Sequence, residues 1–114
     1  DARKRLWSYR RIVMLPIASW SYLAGYKGPA FDVVFVDGDH KQVARDLPWF
    51  NWIHPGGLML FHDYSPAEST HACPPVYDVV NARAIRLGRE LDVLLVDDTL
   101  AGIAGFYKQK WEVI

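Results

Sequence analysis

Two short clusters in this chain concentrate the side chains that do acid–base and metal chemistry: Asp37-Gly38-Asp39-His40 and His62-Asp63-Tyr64. Brought together, their carboxylates and imidazoles would satisfy a divalent cation. Carboxylate oxygens suit magnesium, calcium or manganese, whereas an imidazole ligand tilts the choice toward manganese, iron or zinc. Without a metal, the same groups read as a histidine base held by an aspartate, because imidazole titrates near neutrality unaided. Each cluster also has a plain structural reading, in which an aspartate caps the following helix and Gly38 supplies a positive φ. Position in the fold decides between these readings.

The flanking elements place both clusters at strand ends. Phe31 to Val36 is apolar apart from Asp32, the pattern of a strand covered on both faces of a parallel sheet, and it stops at Asp37. From Lys41 to Ile53, Val43, Leu47, Phe50 and Ile53 recur at helical spacing, which predicts an amphipathic helix broken or kinked at Pro48. Pro55-Gly56-Gly57 is expected to turn the chain into a second strand, Leu58 to Phe61, which stops at His62. A polar, proline-containing loop leads to a helix marked by Val76, Val79, Val80 and Ile85 and closed by Gly88. Leu91 to Val96, a turn at Asp97-Asp98, and Ala101 to Tyr107 form a terminal hairpin. Upstream, Ile12 to Leu15 reads as a short strand and Ile17 to Tyr26 as a weak helix. Strand, helix, strand, helix, hairpin is the order of an open α/β sheet, and ligands in such sheets sit beyond the carboxyl ends of the strands. Both clusters are therefore expected to face one crevice.

Composition narrows the partners. Thirteen basic and thirteen acidic residues cancel, which gives no field to attract nucleic acid or an anionic membrane. The basic cluster Arg3, Lys4, Arg5, Arg10 and Arg11 reads as a solvated flank. No apolar run approaches the length of about 20 residues that a membrane helix needs. Cys73 is the single cysteine, which excludes an internal disulfide and suits a reduced compartment, so the cytoplasm is the expected location. His71 beside Cys73 makes an incomplete metal pair, His54 reads as a helix-end contact, and Trp49 and Trp52 read as core or a subunit contact. The sequence fits one domain over 1–114.

The segments Phe31 to His40, Asp46-Leu47 and Pro55 to Tyr64 together resemble the fourth and fifth strands of class I S-adenosylmethionine-dependent methyltransferases, above all the small-molecule O-methyltransferase group. The resemblance runs roughly from Ile12 to Tyr107. It implies an α/β, three-layer Rossmann-like open sheet, mostly parallel with a terminal antiparallel hairpin, and truncated in its amino-terminal half. It also implies S-adenosylmethionine as methyl donor and a small-molecule hydroxyl as acceptor. On this correspondence Asp37 and Gly38 touch the cofactor. Asp37, His62 and Asp63 hold a magnesium or another divalent cation, with His62 standing where the metal-dependent relatives carry aspartate. His40 and His62 are the candidate bases, and Asp37 positions the acceptor.

One part of the family pattern is missing, because no GxGxG segment, the cradle for the cofactor's methionine half, occurs in the sequence. The sheet is then expected to hold the equivalents of the fourth, fifth, seventh and sixth strands, with Ile12 to Leu15 orphaned and the edge of Phe31 to Val36 open. An apolar open edge invites pairing, which predicts a homodimer or an amino-terminal segment folded back over the edge, while the missing cradle predicts little activity for the chain by itself. Two rival functions keep the same residues: a metal-dependent phosphohydrolase using the Asp37-x-Asp39 pair, and a non-catalytic assembly fragment.

Overall fold

Hydrophobic strands too short to fold singly here form one four-stranded sheet in a computed structural model that describes residues 12–97 and 100–114. The elements are α1 (Ser19–Ala24), β1 (Phe31–Val36), α2 (Val43–Asp46), β2 (Ile53–His62), α3 (Pro74–Leu87), β3 (Val93–Asp97) and β4 (Leu100–Tyr107). Strand order is β1-β2-β4-β3, with β1 and β2 parallel and β4 antiparallel to both neighbours. This is the order expected for the equivalents of the fourth, fifth, seventh and sixth strands. The basic cluster near the start and the turn residue Asp98 lie outside the described residues. Among the described residues, no helix is long and apolar enough to cross a membrane.

Register shows which side chains share a face. Val33 and Phe35 lie opposite Leu58 and Leu60, whereas Val34 and Val36 lie opposite Met59 and Phe61. The second set continues through Ala104 and Phe106 of β4, and this face is the core. Val76 and Val80 of α3 and Phe50, which precedes β2, close over it. Phe50, Phe61 and Phe106 are fully enclosed, and each contributes about 2 kcal/mol by leaving water. The first set is open among the described residues, with Val33 54%, Phe35 49% and Leu95 64% exposed and Leu58 and Leu60 half-buried. This corrects the expectation that β1 is covered on both faces. Apolar content along a strand reports a capacity for burial, and the cover itself must come from another segment.

Three other expectations change. Ile12 to Leu15 forms no strand, since a strand needs a neighbour for its backbone groups and it pairs with no strand among the described residues. The expected helix from Lys41 is divided into a 3-10 turn (His40–Gln42), α2, and a second 3-10 stretch (Leu47–Trp52) that starts around Pro48. The proline ring has no N–H to donate and clashes with the carbonyl four residues back, so the α-helical pattern cannot pass it. The Pro55-Gly56-Gly57 turn lies inside β2, which already pairs Phe31 with Ile53 and then Val33 with Leu58. The extra residues form a bulge, with Gly56 at φ 85° and Gly56 N donating to Lys108 O at 2.8 Å.

The last helix matches its sequence signals at both ends, although Ile85, expected on its apolar face, is 80% exposed. In α3, Pro74 and Pro75 occupy the first turn, where no backbone donor is needed, and Gly88 ends the helix at φ 72°. The short α1 has no side-chain cap and is held by aromatic contacts: Tyr22 lies 6.0 Å from Trp49, and Tyr26 lies 4.9 Å from Trp52. Trp49 and Trp52 therefore serve the chain's own packing.

Candidate functional site

The ends of β1 and β2 bring the two polar clusters together. The strands are adjacent and parallel, so the residues after Val36 and Phe61 leave the sheet at the same edge. His40 Nε2 donates to Asp63 Oδ2 at 2.6 Å. His62 Nδ1 lies 3.1 Å from Asp37 Oδ1 and 3.2 Å from Asp63 Oδ2. All the catalytic and metal residues expected from the sequence, Asp37, His40, His62 and Asp63, thus meet in one cluster. Gly38 lines the cleft beside it with open space at its Cα, so glycine is not required there by crowding. Asp37 and His40 are about half exposed and Asp63 is 22% exposed, an opening accessible to a small molecule.

The second aspartate of the first cluster has a structural task. Asp39 Oδ1 accepts from Lys41 N at 3.0 Å and caps the 3-10 turn from His40. A phosphohydrolase pair needs that carboxylate directed at a ligand. His54 stands exposed at the start of β2, and His71 lies in the loop before α3, both apart from the cluster.

His62 Nδ1 has an unusual environment. The atom is buried and has no hydrogen-bond partner of acceptable geometry, although two carboxylate oxygens are nearby. Those oxygens lie off the direction of the ring nitrogen's lone pair or N–H. Donor atoms of Asp37, His62 and Asp63 all fall within 4.8 Å of one another. A cation among them would use the orphaned nitrogen and offset two neighbouring negative charges.

Asp63 takes part through an uncommon backbone conformation. It is the one non-glycine residue with positive φ among the described residues, at 64°. Aspartate tolerates this region better than most side chains, yet the conformation still costs about 1 kcal/mol or more. Asp63→Gly is therefore expected to raise stability by about 1 kcal/mol while removing the carboxylate that holds His40. Chemical denaturation would show it as an increased midpoint, and a decreased midpoint would refute stored strain at this residue.

Behind the cluster, Tyr64 is buried and its hydroxyl donates to Asn81 Oδ1 at 2.6 Å. Burial holds the Tyr64 hydroxyl above its ordinary pKa, against the opposing effect of the Asn81 bond. The Tyr77 ring lies 4.8 Å away, tilted by 33°, so α3 and the segment that follows β2 are joined directly behind the site. A cleft of about 450 Å³ runs along β1, an edge strand among the described residues, from Phe31 to Gly38, with buried Asp46 accepting from Ser19 Oγ at 2.5 Å on its far wall. Sequence patterning gave no sign of Asp46 as a buried carboxylate, because the residue falls in a helical segment where charge ordinarily faces water.

Residues 8–64 match the family described as a methyltransferase domain, a span that contains both polar clusters. No curated protein sequence matches the chain. Among solved structures, the fold resembles a Klebsiella pneumoniae protein provisionally described as an O-methyltransferase, at TM-score 0.53 and 19% identity, over 78% of this chain and 45% of that one. The chain thus spans less than half the length of that structure, and the likeness at this identity is one of fold.

Proposed function

This chain belongs to the methyltransferase-domain family, and from that premise we propose that it supplies the acceptor-activating half of an S-adenosylmethionine-dependent O-methyltransferase site. The observation that carries the reading is the 2.6 Å His40–Asp63 pair beside Asp37 and His62 at adjacent strand ends. Asp63 fixes the ring through Nε2 and leaves Nδ1 to accept a proton. An acceptor hydroxyl at Nδ1 loses its proton to His40 as its oxygen becomes nucleophilic, and Asp63 stabilises the imidazolium that forms. Asp37 orients the acceptor from the opposite side of the cluster. S-adenosylmethionine, when bound, supplies an electrophilic methyl group that needs alignment more than activation. A small-molecule hydroxyl suits the open, half-exposed site.

Two cofactor contributions follow from the residues present. Asp37, His62 and Asp63 would hold a divalent cation, with the imidazole favouring manganese, iron or zinc over magnesium. Such a cation would supply charge to lower the pKa of an acceptor hydroxyl. For S-adenosylmethionine, this chain offers the strand end Asp37-Gly38 and no glycine-rich turn. Its binding alone is expected to be weaker than micromolar.

A second reading is favoured by the open edge and exposed Val33 and Phe35 of β1: self-association as an assembly module. Calorimetric titration with S-adenosylmethionine and sedimentation velocity, both on this chain, test the pair. The expected results are no micromolar binding and a dimer. Micromolar binding would overturn the incomplete-cradle reading, and a monomer at micromolar concentration would overturn self-association.

A further inference from the structure

The residue that holds His40 is itself held from the far side of the sheet. His62 lies opposite Ile103 in the β2–β4 ladder, and a regular ladder would next place Asp63 opposite Gly102. Instead Tyr64 N donates to Gly102 O at 3.0 Å, so Asp63 is an extra residue between two paired ones. This is a bulge at the strand end, and the positive φ of Asp63 is its conformational signature. A bulge turns the side chain of its extra residue away from the regular alternation, and here that side chain meets His40.

Two features of the sequence make the bulge possible. Gly102 N donates to Ser65 Oγ at 3.0 Å, so a side-chain hydroxyl stands in for the backbone acceptor that the slipped register removes. Ser65 is almost wholly buried, and water cannot take its place. At Gly102, a Cβ would collide with the Tyr64 carbonyl, backbone that cannot swing aside as a side chain would. Only glycine permits the turn after β2 to lie this close to β4.

We propose that Gly102 and Ser65 are positioning residues of the His40–Asp63 site, acting together as a clamp that sets the Asp63 bulge and thereby the place of the candidate base. Neither residue touches the cluster. The proposal rests on the reading of that cluster as the functional site, and its test is built so that the two can fail separately.

The chain carries its own control. His54 lies eight residues before His62 on the same strand, roughly 20 Å away, outside the reach of the clamp. In the chain without metal, Ser65→Ala and Gly102→Ala are each expected to move the imidazole ¹⁵N–¹H correlations of His40 and His62 and to leave those of His54 in place. Zinc titration of the same variants is expected to show affinity reduced about 10–100-fold, as is usual when groups behind metal ligands are removed. Should Gly102→Ala not fold, Ser65→Ala retains every side-chain volume but one hydroxyl and decides the question alone. Folded variants whose His40 and His62 signals match the native chain would overturn the clamp, even with reduced thermal stability. Failure of the native chain to bind zinc would instead remove the cation reading, while the ring signals would still decide the clamp.

Discussion

His40→Gln, in a protein that joins this domain to a cofactor-binding half, is expected to reduce the methyl-transfer rate by about 10²–10⁴-fold, the usual contribution of a positioned general base. Glutamine keeps a group able to donate to Asp63 Oδ2 and so preserves most of the local geometry, but it has no nitrogen that titrates near neutrality. The loss should therefore appear in kcat, with cofactor affinity nearly unchanged. It should also shrink as pH rises, because an acceptor hydroxyl that ionises in solution no longer needs a base. Asp37→Asn provides the contrast. Its carboxylate lies 3.1 Å from His62 Nδ1, whereas His40 is held by Asp63, so its loss is expected to act through acceptor placement and to raise KM as well as lower kcat. Steady-state kinetics across pH check both variants. A His40→Gln enzyme with native kcat would exclude His40 as the base and leave His62 as the histidine to examine.

The pairing of those two histidines with two aspartates was legible in the sequence for a topological reason. Apolar runs ending in Asp37 and in His62 mark strand ends, and parallel neighbours deliver their ends to the same edge. The hairpin was equally clear, because Leu91 to Val96 and Ala101 to Tyr107 are rich in strand formers and separated by turn residues. Strand order came from the family resemblance, since nothing in the residues of β3 and β4 alone says which of them lies beside β2.

Other features had no local signature. Phe31 to Val36 has the same apolar run whether or not a second layer of helices covers Val33 and Phe35. Pro55-Gly56-Gly57 has the composition of a turn and occurs here within a strand, because Ile53 pairs with Phe31 before the bulge and anchors the strand early. The Asp63 bulge depends on Gly102, far along the chain, and spacing within the His62-Asp63-Tyr64 cluster could not reveal it. Arg89 and Glu112 belong to the same class: two charges of no evident pattern in sequence, joined only by the fold.

Arg89→Ala is expected to cost about 3 kcal/mol of stability, the largest single loss outside the aromatic core. The guanidinium ties together Asp92, the end of β4 and Glu112. Its Nε and Nη2 donate to Glu112 Oε2 and Oε1, each at 2.8 Å, in a bidentate pair. Nη1 donates to Asp92 Oδ2 at 2.6 Å and Nη2 to Tyr107 O at 2.5 Å, while the planar group lies over the Phe106 ring at 5.4 Å. Glu112 is buried, so alanine at position 89 leaves a carboxylate out of water with the Gln109 N–H as its remaining donor. Arg89→Lys should recover part of the loss, because an ammonium keeps the charge but not the fork. The pair also sets a pH dependence. The Arg89 hydrogen bonds hold the Glu112 carboxyl below its ordinary value of 4.5, against the opposing effect of burial. The unfolded chain therefore takes up this proton at a higher pH than the folded one. The stabilisation is complete above about 4.5 and is lost as pH falls through the lower, folded value. Glu112→Gln is expected to flatten this acid limb of the stability curve and to lower the plateau above it. Denaturant melts at neutral and acid pH measure both effects, and a Glu112→Gln chain with the native acid limb would show that other carboxylates control it.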